Sequence, residues 1–370
     1  MRFDELGIRI KKLESITTDR RLMPGLPVYA RIDGRAFHTF CRGLKKPFCL
    51  ELVETMQEVT KFLIEETNAC LGYIQSDEIS LCWMDVDKAP FDGKLFKLES
   101  VLASLATSKF VNYINYRYNT YNVLKAAKVE YAESKAIELF LQDMIDGIPN
   151  WEQLYDKCQK IIPSFDCRVF QLPNEVELAN TFVWREIDAV RNSVSMLAQA
   201  NFSHKELQGK DRKAMLTMLE EKGIRWNELR DDLKRGAYFR RVLVEKELDD
   251  ETWNKIPDDK KPESRIVKRS EIRRYDIPEM KNVENKVGVY FYNEDPKEKV
   301  IDVWYIPNKT MGYETRCPKC NNKHYFSTAG DNILCSCGIK LHSKKLSTLG
   351  SLENYNTEFR GYSEDGEINE

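Results

Sequence analysis

Between residues 28 and 84 the chain spells a strand, a helix and a hairpin in close succession, and that order leaves few folds open. Val28-Tyr29-Ala30-Arg31-Ile32 alternates like a half-buried strand. Leu52, Met56, Val59 and Leu63 recur at helical spacing, which predicts a helix within residues 48–70. Leu71–Gln75 and Ile79–Met84 then read as two strands around a tight turn. Asp33 falls at the end of the first strand, with Gly34 opening a turn, and Asp77 falls at the hairpin tip. This order brings the two carboxylates onto adjacent strands, where they repel unless a divalent cation lies between them. Two-metal phosphoryl transfer uses that arrangement, with ions roughly 4 Å apart clamping the attacking and leaving oxygens. Taken singly, an Asp-Gly is an ordinary turn and a Ser-Asp-Glu an ordinary hairpin. The pair at this spacing carries the argument.

Downstream, Leu98, Val101, Leu102, Leu105 and Phe110 predict a helix over 95–117. A Tyr-rich, charged segment at about 111–160 follows, with Tyr113, Tyr116, Tyr118 and Tyr121. Aromatics beside Arg117 suit either base stacking or a packed helical hairpin, and the hairpin is the more ordinary use. Phe165–Leu172 alternates like a fourth strand. A helix is expected from Glu175 to Gln199, with Val183, Ile187, Val190, Val194 and Leu197 as its apolar stripe. Strand–helix–strand–strand–helix–strand is the split βαβ pattern, so the expected class is α+β with a ferredoxin-like sheet. Residues 246–285 carry Pro257, Pro262 and Pro278 among charges and read as a linker or irregular arm. Val287–Asn293 and Lys299–Ile306 read as a strand pair.

No apolar run approaches a transmembrane length, and the first residues are too charged for a secretory signal, so a cytoplasmic protein without membrane contact is expected. The net charge of −2 describes no polycation. Basic residues nevertheless cluster at Lys234, Arg235, Arg240 and Arg241, and at Arg265, Lys268, Arg269, Arg273 and Arg274. Such clusters either track a phosphate backbone or form a salt-bridged surface. Cys41, Cys49, Cys70, Cys82, Cys158 and Cys167 are scattered and read as reduced thiols. Cys317, Cys320, Cys335 and Cys337 are grouped, as in the two knuckles of a zinc ribbon holding a structural Zn²⁺. The second pair has a short spacer, so His324 or His342 is an alternative ligand, and four free thiols are the remaining reading.

The segments RIDGRAFHTF (31–40), GLKKPF (43–48), GYIQSDEIS (72–80), FDCRVFQLP (165–173), WREIDAVRN (184–192), GIRWNEL (223–229) and KRG (234–236) resemble the histidine-tRNA guanylyltransferase family and its guanylyltransferase-like relatives. The resemblance covers roughly residues 1 to 240, interrupted by the Tyr-rich insertion. It implies a polymerase-type palm acting as a 3′–5′ nucleotide polymerase. It also implies that Asp33, Asp77 and the carbonyl of Gly34 hold two Mg²⁺ ions, with Glu78 a third catalytic carboxylate. Gly34, Arg35, Ala36, Phe37 and His38 match a loop whose amides hold a nucleotide triphosphate. Lys46 matches a phosphate contact, and Ser76 a serine beside the metal-binding aspartate. Arg185, Asp188 and Asn192 share one helix face and, with Lys234 and Arg235, would bind a nucleotide or tRNA. Where the eukaryotic enzymes carry His-Ile-Asn-Asn, this chain has Val190-Arg191-Asn192-Ser193, which favours the broader branch that repairs truncated tRNA 5′ ends.

The expectation is therefore a catalytic domain over 1–245, a charged arm and strand pair over 246–310, a zinc ribbon over 311–345 and an acidic tail over 346–370. The partners implied are tRNA, ATP and GTP, and copies of the chain in a tetramer. Two other readings stand beside it. One is a palm-type synthase or cyclase acting on free nucleotides, and the other is an RNA-binding protein with a disused palm.

Overall fold

The computed structural model describes residues 3–130, 151–257, 260–262, 264–308, 312–317, 322–326, 332–335 and 338–345. They fall into two compact units. The first comprises residues 1–277 with 290–293, and the second comprises 278–289 with the residues from 294 onward.

The first unit runs α1 (Phe3–Thr18), β1 (Val28–Gly34), α2 (Leu50–Thr67), β2 (Leu71–Gln75), β3 (Glu78–Trp83), α3 (Leu95–Glu130), α4 (Glu152–Lys160), β4 (Phe165–Gln171), α5 (Glu175–Asn201), β5 (Ala237–Glu247) and β6 (Ile266–Arg274). Its sheet has the order β4-β1-β3-β2-β5-β6, with every neighbouring pair antiparallel. The first four strands, with α2 and α3 between them, reproduce the split βαβ order expected above.

Strand periodicity decides which side chains meet. Val28, Ala30 and Ile32 point to one face and pack with Met56, Val59 and Leu63 of α2 and Leu98, Leu102 and Phe110 of α3 in one buried cluster. Tyr29, Arg31 and Asp33 therefore point to the opposite face, where the Phe182 ring of α5 meets Tyr29 edge-on at 5.2–5.3 Å together with Phe170. Val183, Val190, Val194 and Leu197 of α5 are buried, as the apolar stripe requires. The Asn174 side chain caps this helix by accepting a hydrogen bond from the Glu177 amide.

Three expectations change. The helix over 95–117 continues to Glu130, and α4 packs back on it, with the Tyr118 and Tyr155 rings stacked at 3.8 Å. Arg117 lies over the buried Trp151 ring and pairs with Glu54 at 3.3 Å, and Tyr113, Tyr118 and Tyr121 serve packing, whereas Tyr116 is exposed; residues 131–150 of the insertion lie outside the described residues. The expected arm at 246–285 instead contains β6, which pairs with β5 along its whole length. Among the described residues that ribbon has no third strand beyond Arg240, because β2 reaches only Ala237–Arg240. From Leu243 outward most of its residues are exposed, so the ribbon needs no apolar alternation there, which hid it from sequence periodicity.

Val287–Asn293 forms a helix, α6 (Lys286–Tyr292), rather than a strand. Val289 and Tyr290 are consecutive and both buried, which a one-sided strand does not allow. In the second unit β7 (Val300–Asn308), β8 (Gly312–Arg316), β9 (Lys323–Phe326), β10 (Asn332–Leu334) and β11 (Lys340–Lys345) form a sheet in the order β10-β11-β7-β8-β9. Cys320, Cys337 and the acidic tail lie outside the described residues. Among the described residues no helix is long and apolar enough to cross a membrane.

Candidate active site

Asp33 and Asp77 come together at the ends of β1 and the β2–β3 hairpin. Asp33 lies opposite Glu78 in the β1–β3 register, and the Gly34 amide donates to the Asp77 carbonyl at 3.1 Å. Gln75 and Glu78 close a two-residue turn in which Ser76 has φ 55°, a left-handed conformation rare for a residue with a Cβ and characteristic of functional sites. Gly34 is needed for a different reason. A Cβ there would overlap the Phe37 ring, which packs on Phe40, Phe110 and Phe165.

The two aspartates border a cavity of about 610 Å³. Gly34, Ala36, Phe37 and His38 line it from the turn after β1, Lys45 and Lys46 from the following loop, and Ser76 from the hairpin. Met196, Gln199 and Ala200 close it from the end of α5. Sequence reading missed these last three and Lys45; a contact made by the packing of a distant helix leaves no local pattern. Phe37 is itself buried. Arg35 is turned to the β4 side, with its Nε 3.3 Å from the Ser164 hydroxyl.

Electrostatics mark the same spot. Burial raises the Asp77 carboxyl above the usual range, and the charge of Asp33 raises it further. Burial likewise raises Asp33, aided by Asp166 on β4 and opposed by Arg31, Arg168 and Arg185. Asp166 stands directly across from Asp33 in the β1–β4 register and was not singled out by sequence. Two crowded, partly desolvated carboxylates are a site short of positive charge. Among the described residues no group of three or more His, Cys, Asp or Glu side chains gathers as a metal cluster. Two carboxylates and a neighbouring carbonyl form the sparse oxygen set that suits Mg²⁺, which keeps waters and takes substrate phosphates as its other ligands. Asp33, Asp77 and Gly34 thus fit the ion in donor chemistry.

Glu78 faces α5 rather than the cavity. Its carboxylate is 2.5 Å from the Arg185 guanidinium and 3.8 Å from that of Arg31. Burial still raises its carboxyl, against the pull of both arginines. Arg185 also donates to Asp188 at 3.1 Å, and Asn192 donates to the same carboxylate at 3.4 Å, so the three predicted helix residues form one chain of contacts. Lys234 pairs with Asp231 at 3.0 Å, and Arg235 is held in a buried pair with Glu186, also at 3.0 Å. Neither lines the cavity. In the segment Val190–Ser193, Val190 is buried and the Ser193 hydroxyl donates to the Lys234 carbonyl while accepting from the Trp226 indole.

The Tyr-rich insertion reaches the site from behind. Gln153 of α4 donates to the Gly43 carbonyl at 2.7 Å, and the Lys157 ammonium donates to the Arg42 carbonyl at 2.5 Å. These bonds hold the start of the loop that carries Lys45 and Lys46.

The chain is similar to several known proteins of one family. Residues 8–173 match the profile of the family described as tRNAHis guanylyltransferase. A bacterial tRNA(His) guanylyltransferase-like protein solved in complex with ATP is 30% identical, with a TM-score of 0.56, and the match covers 78% of this chain and all of that one. A structure of such a protein in complex with GTP is 28% identical with a TM-score of 0.52, covering 78% of this chain and 99% of the other. The tRNA(His) guanylyltransferase of Schizosaccharomyces pombe is 27% identical over 177 residues, 47% of this chain and 53% of that one. An uncharacterized protein of Acanthamoeba polyphaga mimivirus is 25% identical over 258 residues, 65% of this chain and 78% of that one.

Proposed function

The chain belongs to the tRNA(His) guanylyltransferase family and is a nucleotidyltransferase, and on that premise we propose that it adds guanosine, or templated nucleotides, to the 5′ end of tRNA. The observation that carries this reading is the cavity itself: two crowded carboxylates face a turn of backbone amides and two lysines across one space. That combination suits a triphosphate whose reacting phosphorus lies near the aspartates.

The proposed reaction has three steps. A 5′-phosphate oxygen of the RNA attacks the α-phosphorus of ATP and releases pyrophosphate. The 3′-hydroxyl of GTP then attacks the activated 5′ phosphorus, and AMP leaves. Pyrophosphate is finally hydrolysed from the new 5′ end. The amides of Ala36, Phe37 and His38 would hold triphosphate oxygens, since those of Gly34 and Arg35, also expected there, donate to the Asp77 and Ser164 carbonyls, and Lys45 and Lys46 would offset the phosphate charge. Asp33, Asp77 and the Gly34 carbonyl would hold Mg²⁺, which when bound lowers the cost of hydroxyl attack and neutralises the leaving phosphate. The Arg185–Glu78 pair would fix the hairpin that carries Asp77. A ferredoxin-like palm, a cytoplasmic setting and a tetramer of chains belong to the same reading. The exposed Leu6, Ile10 and Leu13 of α1 would be covered in such an assembly.

The test is incubation of the protein with ATP, GTP, Mg²⁺ and 5′-labelled monophosphorylated tRNAs. One is histidine tRNA lacking its extra guanosine, and the other is a tRNA truncated at its 5′ end. Growth of the 5′ end is expected, and the preferred RNA separates maturation from repair. No growth, with a 5′-triphosphate RNA also tried, would turn the assignment to free-nucleotide chemistry. In the same assay Lys157→Met is expected to raise the KM for ATP severalfold with kcat little changed, because it frees the phosphate loop without touching the aspartates. An unchanged KM would mean that the loop holds its shape without α4.

A structural zinc belongs to this proposal as well. Cys317 and Cys335 are both buried, and the His324 Nε2 lies 3.1 Å from the Cys335 sulfur. These are soft donors of the kind Zn²⁺ takes. Metal analysis is expected to find one zinc per chain, lost in Cys317→Ser. Retention in His324→Ala would assign the site to four cysteines, and loss there would make the histidine a ligand.

A further inference from the structure

A transfer between a nucleotide and an RNA end needs two surfaces that meet at the reacting groups. The cavity beyond the strand ends supplies one. The other is found on the α5 side of the sheet, where β1 and its edge neighbour β4 lie partly uncovered. Asp166, Arg168 and Phe170 stand across from Asp33, Arg31 and Tyr29 in register, and all three are exposed. Phe170 is 40% exposed and Trp184, on the adjoining flank of α5, is 52% exposed. The Arg31 guanidinium is 5.9 Å from the centre of the Trp184 ring, and that of Arg185 is 4.6 Å away. Arg168 makes no ion pair among the described residues. A row of guanidinium groups thus runs between two solvent-facing aromatic rings and ends at Asp33. Asp166 keeps the end nearest Asp33 acidic and Glu78 lies 3.8 Å from the Arg31 guanidinium, so the anion-attracting part of the strip is centred on the exposed Arg168, with Arg31 beside it.

We propose that this strip seats the 5′ end of the acceptor RNA, with Arg31 and Arg168 at backbone phosphates and Trp184 and Phe170 against its terminal bases. The inference rests on the function proposed above and locates the second substrate of that reaction. Aromatic platforms beside cations are how proteins hold unpaired nucleotides, since every base offers a face to stack on. The placement also explains why large apolar rings are left in water within reach of a polar reaction centre. A free nucleotide in the cavity would touch neither ring.

The test is anisotropy of 3′-labelled, 5′-monophosphorylated tRNA with the full chain, alongside ATP binding by the same proteins. Trp184→Ala is expected to weaken RNA binding roughly tenfold, with Trp184→Tyr restoring most of it. Arg168→Ala is expected to weaken it and to reduce the slope of log affinity against log salt by about one. ATP affinity is expected to stay unchanged in all three, which also reports an intact fold. Unchanged RNA affinity in Trp184→Ala and Arg168→Ala, with a wild type that extends tRNA, would overturn the strip while leaving the reaction standing. Equal losses of ATP and RNA binding would also overturn it. A wild type that neither binds nor extends tRNA would overturn both. A change in the association state of the chain with RNA binding intact would make the strip a protein contact instead.

Discussion

Asp33→Asn and Asp77→Asn are each expected to lower nucleotide addition on the order of a thousandfold or more, while the metal-free protein becomes more heat-stable. The first half follows from the chemistry the carboxylates support. A bound metal ion contributes several kcal/mol to charge neutralisation in phosphoryl transfer, and each ~1.4 kcal/mol is tenfold in rate. An amide keeps the shape of the site but not the charge. The second half follows from burial and repulsion, which raise both carboxyls above their ordinary values. Between the ordinary and the raised pKa the folded chain binds more protons than the unfolded chain. Stability therefore falls as pH rises through that window, and the deficit is fully present above it. Asp77→Asn removes one charge and relieves the other.

Thermal melts in EDTA are thus expected to show a higher Tm for Asp77→Asn at pH 8, with the gain shrinking as pH falls toward the ordinary carboxylate range. Added Mg²⁺ is expected to raise the wild-type Tm and to leave the variant nearly unmoved. Full activity in a well-folded Asp77→Asn would remove the aspartate from the mechanism. A lower Tm at pH 8 would show that hairpin contacts of Asp77 outweigh its buried charge.

The part of the site that was legible in sequence is the part written in local order. Asp33, Gly34 and Asp77 sit at strand ends that period-two alternation predicts, and the helix between them has a clean 3.6-residue rhythm. Cavity residues from α5 were not legible, because Met196, Gln199 and Ala200 reach the site only through the packing of α5 on the sheet face to which Asp33 points. Glu78 shows the limit from the other side. Its place next to Asp77 suggested a shared task, yet strand alternation and Arg185 turn its carboxylate to α5. Charge clusters were the least informative signal. Arg241 donates to the Ile64 and Glu65 carbonyls at the end of α2, Arg273 pairs with Glu271, and Arg274 pairs with Asp276. Composition counts cations and does not see their partners.

Arg235 turns that point into a measurement. Sequence grouped it with nucleotide- or tRNA-binding residues, whereas in the fold its guanidinium lies 3.0 Å from Glu186 and also bonds Asp231 and the Ile277 carbonyl. Glu186 is only 3% exposed and accepts a second bond from the Tyr238 hydroxyl at 3.2 Å. Removing one member of a buried pair strands the charge of the other, which costs about 3–5 kcal/mol. Arg235→Met is therefore expected to lower unfolding stability by that order, read from urea denaturation. The double change Arg235→Met with Glu186→Gln is expected to recover much of the loss, because no buried charge is then left unpaired. An RNA contact would behave in the opposite way: tRNA affinity would fall, stability would hold, and the second substitution would rescue nothing.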